Sequence, residues 1–239
     1  MNAGAMILAA GRGERMRPLS DVTPKPLLAA GGEPLIVWQL RALVRAGLRD
    51  VVINVSHLAD QLIDALGDGH DYGARIRWSR ETAPLEAAGG IATALPLLPA
   101  GPAVIVSGDI WTDFDYATLQ HVVHRMRADA AAPRVHLVMV PNPDYHPRGD
   151  FVLSPGGALS TAEGPRLTYG NIGVYDTALF RDLRRGERLE LLPYLRAWMA
   201  EGRVSGQRYD RRWANVGTPA DLAALDAVLA GRAPHKDIT

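Results

Sequence analysis

Short apolar runs alternate along this chain with stretches whose apolar residues recur about every three to four positions. Ala5–Ala10 is a run of the first kind and reads as a buried strand. Val51–Val55, Ile76–Ser79, Ala103–Ser107 and Val135–Val140 read the same way. Helical patterns lie between them. Pro34 to Gly47 opens with proline in its first turn, ends on glycine, and sets Ile36, Leu40, Leu43 and Val44 on one face. Leu58–Leu66 (closed by Gly67), Ile91–Leu98 and Tyr116–Ala128 continue the alternation. Strand–helix order of this kind predicts an α/β fold: a mixed, mostly parallel central sheet with helices on both faces.

The pattern weakens from Pro141 to Gly173, where Phe151–Leu153 and Leu167–Tyr169 stand among prolines and glycines. This region predicts a small antiparallel hairpin or lid, residues 141–175, within a single domain spanning 1–239. Helical spacing returns at Leu189–Met199. Thr218-Pro219-Ala220-Asp221 is a capping-box pattern that opens a last helix through Leu229. The tail Gly231–Thr239 is expected to fray. No internal repeat is visible.

Composition narrows the classes of function. Lys plus Arg and Asp plus Glu both number 26, so the net charge is zero. That argues against a general nucleic-acid or membrane surface, which carries a basic excess. The absence of cysteine removes disulfides, thiolate catalysis and cysteine zinc sites. No apolar stretch reads as a membrane span or a leader, so a soluble cytoplasmic protein is expected. The oligomeric state stays open.

The stretch Leu8 to Leu27 concentrates the chemistry. A glycine-rich turn, Gly11-Arg12-Gly13, follows the first apolar run, and Arg15, Arg17 and Lys25 follow it in the same loop. Glycines let backbone N–H groups approach an anion, and cations neutralise it, so the pattern suits a polyphosphate. Only two residues of the chain are lysines, Lys25 and Lys236. Lys25 stands between Pro24 and Pro26, where a compact point charge on a stiff backbone differs from the planar fork of arginine. Neither lysine follows a glycine, which excludes a P-loop. Met16 stands where a dinucleotide fingerprint needs its third glycine. Asp109 ends the apolar run Val104–Val106, at the carboxyl end of a strand, and is a hard oxygen ligand suited to Mg2+. Asp113-x-Asp115 also suits a metal in a glycosyltransferase, although Asp115 equally suits a helix cap.

Leu8-Ala9-Ala10-Gly11-x-Gly13-x-Arg15-x-x-Pro18, followed by Pro24-Lys25-Pro26-Leu27, resembles the signature of the sugar-1-phosphate nucleotidyltransferases. The resemblance implies transfer of a nucleotidyl group from a nucleoside triphosphate to a sugar-1-phosphate, with pyrophosphate released. It implies that Ala9, Ala10, Gly11 and Gly13 meet the nucleotide, with Arg15 on the β- and γ-phosphates and Lys25 on the α-phosphate. Asp109, and Asn215 in Trp213-Ala214-Asn215-Val216-Gly217-Thr218, would hold Mg2+. Asn215 leaves that pair one negative charge short of the family's aspartate form. Glu81 to Ile91 resembles the loop facing the nucleobase, with Glu81, Glu86 and Ala87 as contacts. Glu86-Ala87 replaces the usual Gly-Thr there, and Gly108-Asp109-Ile110-Trp111-Thr112-Asp113 and Arg148-Gly149-Asp150-Phe151 accompany it. These three pieces resemble the branch that uses UTP and N-acetylmuramate-1-phosphate in cell-wall sugar recycling. Trp111, Asp150 and Asn171 are the expected sugar contacts. The acceptor's lysine in the wider family has no counterpart here. A guanylyl- or thymidylyltransferase for another sugar phosphate and a non-catalytic nucleotide-sugar sensor remain the alternatives.

Overall fold

The computed structural model describes residues 3–232. Its strands and helices run β1 (Gly4–Leu8), α1 (Leu19–Val22), β2 (Ala29–Ala30), β3 (Glu33–Pro34), α2 (Leu35–Arg45), β4 (Asp50–Val55), α3 (Ala59–Leu66), β5 (Arg75–Arg80), α4 (Glu86–Ala94) and β6 (Pro102–Ser107). They continue as β7 (Ile110–Thr112), α5 (Gln120–Ala128), β8 (Val135–Val140), β9 (Phe151–Leu153), β10 (Leu159–Ser160), β11 (Arg166–Asp176), α6 (Leu192–Ala200), β12 (Val204–Arg208), β13 (Trp213–Asn215) and α7 (Pro219–Leu229).

Nine strands form one sheet. β5, β4, β1 and β6 lie side by side and parallel. β11 then runs antiparallel between β6 and β8, and β12 lies parallel to β8 at the far side. The alternation of side chains along the parallel strands divides the core in two. Ala5, Ile7, Val51, Ile53, Val104 and Val106 meet Leu40 and Leu43 of α2, Leu62 of α3 and Val123 of α5 on one face. Met6, Val52 and Ile105 meet Ile91 of α4 and Leu195 and Trp198 of α6 on the other. This is the predicted mostly parallel sheet with helices on both faces. A third cluster, around Met16, Leu35, Trp111, Val216 and Leu225, packs α7 beside the end of the sheet.

The antiparallel segment expected within residues 141–175 is present as β9, β10 and the start of β11. β11 then passes a register shift between Tyr169 and Gly173 and continues into the middle of the main sheet.

Three boundaries differ from the sequence expectation. The helix expected at Ile91 begins at Glu86, and its Pro96 lies in a separate tight turn, Leu95–Leu97. Helix α4 carries Gly89 and Gly90, which propensity counts against a helix. Tertiary approach explains them: a Cβ at Gly89 would stand 2.2 Å from the Glu187 carbonyl, and one at Gly90 2.8 Å from Asn54 Nδ2. The helix expected from Leu189 begins at Leu192, with Pro193 in its first turn. The segment expected to be helical from Tyr116 starts with a 3-10 turn, Tyr116–Leu119, before α5. Most of the tail Gly231–Thr239 lies outside the described residues.

Candidate active site

Parallel pairing of β1 with β6, in the register Leu8 to Ser107, brings the turns after both strands to one carboxyl edge of the sheet. The Gly108 N–H donates to the Leu8 carbonyl at 2.9 Å and ties the two turns together. Asn54, at the end of β4, fixes the floor. Its Oδ1 accepts from the Ala9 N–H at 2.9 Å, and its Nδ2 donates to Glu81 Oε1 at 2.7 Å. Glu81 Oε2 accepts in turn from the Leu85 N–H at 3.0 Å. Burial pushes the Glu81 carboxyl above its ordinary range, and these two donors hold it back in part.

Gly13 has φ 66°, a left-handed conformation that glycine adopts without strain. A Cβ there would lie 3.0 Å from Lys25 Cβ, so the bare glycine is the surface on which the lysine stem rests. Ser20 Oγ donates to the Gly13 carbonyl at 2.8 Å and holds the turn. Pro24 leads into a 3-10 turn, Lys25–Leu27, that buries Lys25. Lys25 Nζ donates to Asp109 Oδ2 at 2.5 Å. The rare lysine and the strand-end carboxylate, far apart in sequence, form one ion pair.

The short β7–β13 ladder sets Asn215 opposite Ile110, and the Val216 N–H donates to the Asp109 carbonyl at 2.9 Å. Asn215 thereby comes to the Asp109 edge. The guanidinium of Arg15 lies against Gly217, where a Cβ would be 3.1 Å from its Nη2. Asp221 Oδ2 accepts from the Gly217 and Thr218 N–H groups, completing the expected capping box of α7 and fixing this segment.

A cavity of about 730 Å3 opens over these turns. Ala9, Ala10, Gly11, Gly13, Lys25, Glu81, Glu86, Ala87 and Asp109, all singled out from the sequence, line it. Arg12 of the glycine-rich turn lines it too, as do Asn54, Ser107 and Arg188, which were not anticipated. Arg188 comes from a segment with no sequence signal, about a hundred residues beyond Glu86, to which it donates from Nη2 at 2.7 Å. Tyr145 was also missed. It is an exposed aromatic near Asn215, with Asp221, Arg15 and Asp109 as charged neighbours.

The structure places the expected sugar contacts away from the cavity wall. Trp111 is buried and meets Trp38 edge-on, centroids 6.5 Å apart. Asp150 accepts from the Tyr169 N–H at 2.8 Å, and its other oxygen lies 3.0 Å from His146 Nε2. Asn171 has φ 56° and sits in the register shift of β11. The carboxylates of Asp113-x-Asp115 are both engaged. Asp113 accepts from the Tyr209 hydroxyl and the Arg212 N–H, and Asp115 caps the turn at Ala117. That removes the glycosyltransferase reading of this pair.

Among the described residues no group of three or more His, Asp or Glu side chains is gathered to hold a metal. Asp109 and Asn215 offer one carboxylate and one carboxamide. That donor set fits Mg2+, which takes few protein ligands and completes its shell with phosphate oxygens and water. No helix among the described residues is long and apolar enough to cross a membrane.

Comparison with known proteins agrees with this geometry. The family model for nucleotidyl transferase matches residues 4–230. The chain is 46% identical, over 95% of its length and 98% of the relative's, to N-acetylmuramate alpha-1-phosphate uridylyltransferase of Neisseria meningitidis serogroup B. It is 33% identical to the protein of the same name from Caulobacter vibrioides, over 95% of this chain and 96% of that one. A putative glucose-1-phosphate thymidylyltransferase from Bacillus anthracis, solved in complex with a sucrose, shares the fold. Its TM-score is 0.82 at 18% identity, covering 98% of both chains.

Proposed function

The chain belongs to the nucleotidyl transferase family, and from that premise we propose that it joins UTP to N-acetylmuramate-1-phosphate and releases pyrophosphate. The observation that carries the reaction class is the Lys25–Asp109 pair beside the glycine-rich turn, at the floor of a cavity large enough for a nucleotide. The 46% identity to the Neisseria protein, together with Glu86 and the Arg148–Phe151 segment, supports this substrate pair.

A phosphate oxygen of the sugar-1-phosphate attacks the α-phosphorus in line. That bond forms as the bond from the α-phosphorus to the bridging oxygen breaks, and pyrophosphate leaves with the electron pair. No covalent enzyme intermediate is required, because the acceptor is itself the nucleophile. Catalysis is then positioning and charge neutralisation. Backbone N–H groups of the Gly11–Gly13 turn hold the phosphates. Lys25, fixed by Asp109 and by the Gly13 surface, meets charge developing at the α-phosphate. Arg15, braced on Gly217, takes the β- and γ-phosphates as they leave. Asp109 and Asn215 would hold Mg2+, which when bound screens the triphosphate. On this reading the reaction serves cell-wall sugar recycling and belongs to the cytoplasm, because that is where nucleoside triphosphates are supplied.

The test is pyrophosphate release in Mg2+ across a grid of triphosphates (UTP, CTP, GTP, dTTP) and sugar-1-phosphates. Turnover confined to UTP with N-acetylmuramate-1-phosphate is expected. Turnover with another pair would keep the reaction and replace the substrates. Silence across the grid with nucleotide still bound would make the protein a sensor.

A further inference from the structure

Glu86 opens α4 with φ 61°, a left-handed conformation that side chains other than glycine rarely adopt. Arg188 reaches it across the cavity rim: Nη2 and Nε both donate to Glu86 Oε1, at 2.7 and 3.3 Å. The two side chains are 73% and 39% exposed, and an ion pair so placed does little for stability. Nor is it required to anchor the segment that carries Arg188. That segment is already held by its backbone. The Ala88 and Gly89 N–H groups donate to the Leu189 carbonyl, and the Leu189 N–H donates to the Leu85 carbonyl. Its Gly186 N–H donates to Thr93 Oγ1. A left-handed backbone that aims a carboxylate at the cavity, and an exposed ion pair on the cavity wall that the fold does not need for anchoring, point to a role in the cavity.

We propose that Glu86 and Arg188 together select the nucleobase, by reading an imide N–H beside a carbonyl. This rests on the uridylyl-transfer reading above and deepens it. With the phosphates on the glycine-rich turn, the base falls to the wall formed by Ala83–Ala87 and Arg188. Arg188 engages Glu86 Oε1, which leaves Oε2 to accept a hydrogen bond and the Arg188 Nη1 amine to donate one. Uracil presents a ring N–H flanked by carbonyls, which matches an acceptor next to a donor. Cytosine presents a ring nitrogen lone pair beside an amine. It would set acceptor against carboxylate and donor against guanidinium. Once the base covers the rim and displaces water from these two groups, the mismatched cytosine edge leaves both unpaired, which lowers its affinity relative to uracil.

The experiment measures kcat/KM for UTP and CTP with the intact protein and with Glu86→Gly and Arg188→Ala, alongside equilibrium binding of each triphosphate and the thermal midpoint. Glycine at position 86 accepts the φ of 61°, so that variant is expected to fold at least as stably as the parent. In both variants the UTP-to-CTP ratio is expected to fall about 10- to 100-fold, mostly through the KM and binding of UTP. A parent-like ratio in either folded variant would overturn the proposal, as would a parent that uses UTP and CTP equally. A parent that turns over no UTP at all would instead remove the uridylyl-transfer reading on which it rests.

Discussion

Lys25 owes its role to three neighbours that restrict it: Pro24 before it, the Gly13 backbone under its stem, and the Asp109 carboxylate at its tip. In the proposed reaction, a lysine so held would reach the α-phosphate without ordering a free side chain, and that is the contribution to rate the proposal assigns to it. Lys25→Ala is expected to lower kcat by roughly 10²- to 10⁴-fold while UTP still binds, measured by pyrophosphate release beside calorimetric titration. Gly13→Ala tests the surface under the lysine. Its φ of 66° makes alanine cost about 1–2 kcal/mol, and the new Cβ presses on the lysine stem, so stability and turnover should fall together. Asn215 carries the metal side of the reading. Asn215→Asp restores a carboxylate and is expected to lower the Mg2+ concentration needed for half-maximal activity. Activity that survives chelation of all divalent ions would remove Mg2+ from the proposal.

At the level of elements, α4 joins the nucleobase wall to the core. Gly89 lets it dock under the Glu187 carbonyl, and Gly90 lets it pass the Asn54–Glu81 pair. Gly89→Ala places a Cβ on a backbone oxygen that cannot swing away. The cost is expected to be about 2–3 kcal/mol, which is roughly 5–10 °C in Tm for a chain of this size. Glu81 adds a pH signature to the same joint. Burial raises its carboxyl pKa in the folded protein, so the folded state takes up the proton more readily than the unfolded chain. The stability linked to this group is therefore fully present below the unfolded pKa and is lost as pH rises through the folded one. Against Glu81→Gln, which does not titrate, the parent should gain relative stability as pH falls from above the ordinary glutamate range down through it. A pH-independent difference between the two thermal midpoints would show that Glu81 does not titrate in this way.

On the scale of the whole molecule, the site joins parts of the chain that no local rule connects. The glycine-rich turn follows β1, Asp109 follows β6, Arg188 precedes α6, and Asn215 ends β13. A ligand touching all of them stabilises the folded chain as a unit. At a hundredfold excess over Kd, UTP is expected to add about 2.7 kcal/mol, or roughly 5–10 °C in Tm. Scanning fluorimetry with UTP and Mg2+ reads this directly, and no shift at saturating nucleotide would show that the cavity is not its site.

The sequence by itself determined the parallel core and marked the glycine-rich turn at its edge, because both are written in contiguous residues. Apolar runs alternate with helical faces, and Leu8 to Leu27 holds glycines, arginines and the rare lysine within one stretch. Asp109 stood out as a carboxylate after the apolar run Val104–Val106, whereas Asn215 was singled out only by the resemblance of Trp213–Thr218 to a family segment. Tertiary structure alone decided the rest. It inserted β11 antiparallel between β6 and β8, because strand partners are chosen by sheet packing and not by neighbours in sequence. It began α4 at Glu86 in spite of two glycines, because close approach outweighs propensity. It made Trp111 a core residue and turned Asp150 to the backbone of Tyr169, because a buried face and an unpaired N–H claimed them. It brought Arg188 to Glu86, because contact across about a hundred residues leaves no mark in the sequence of either.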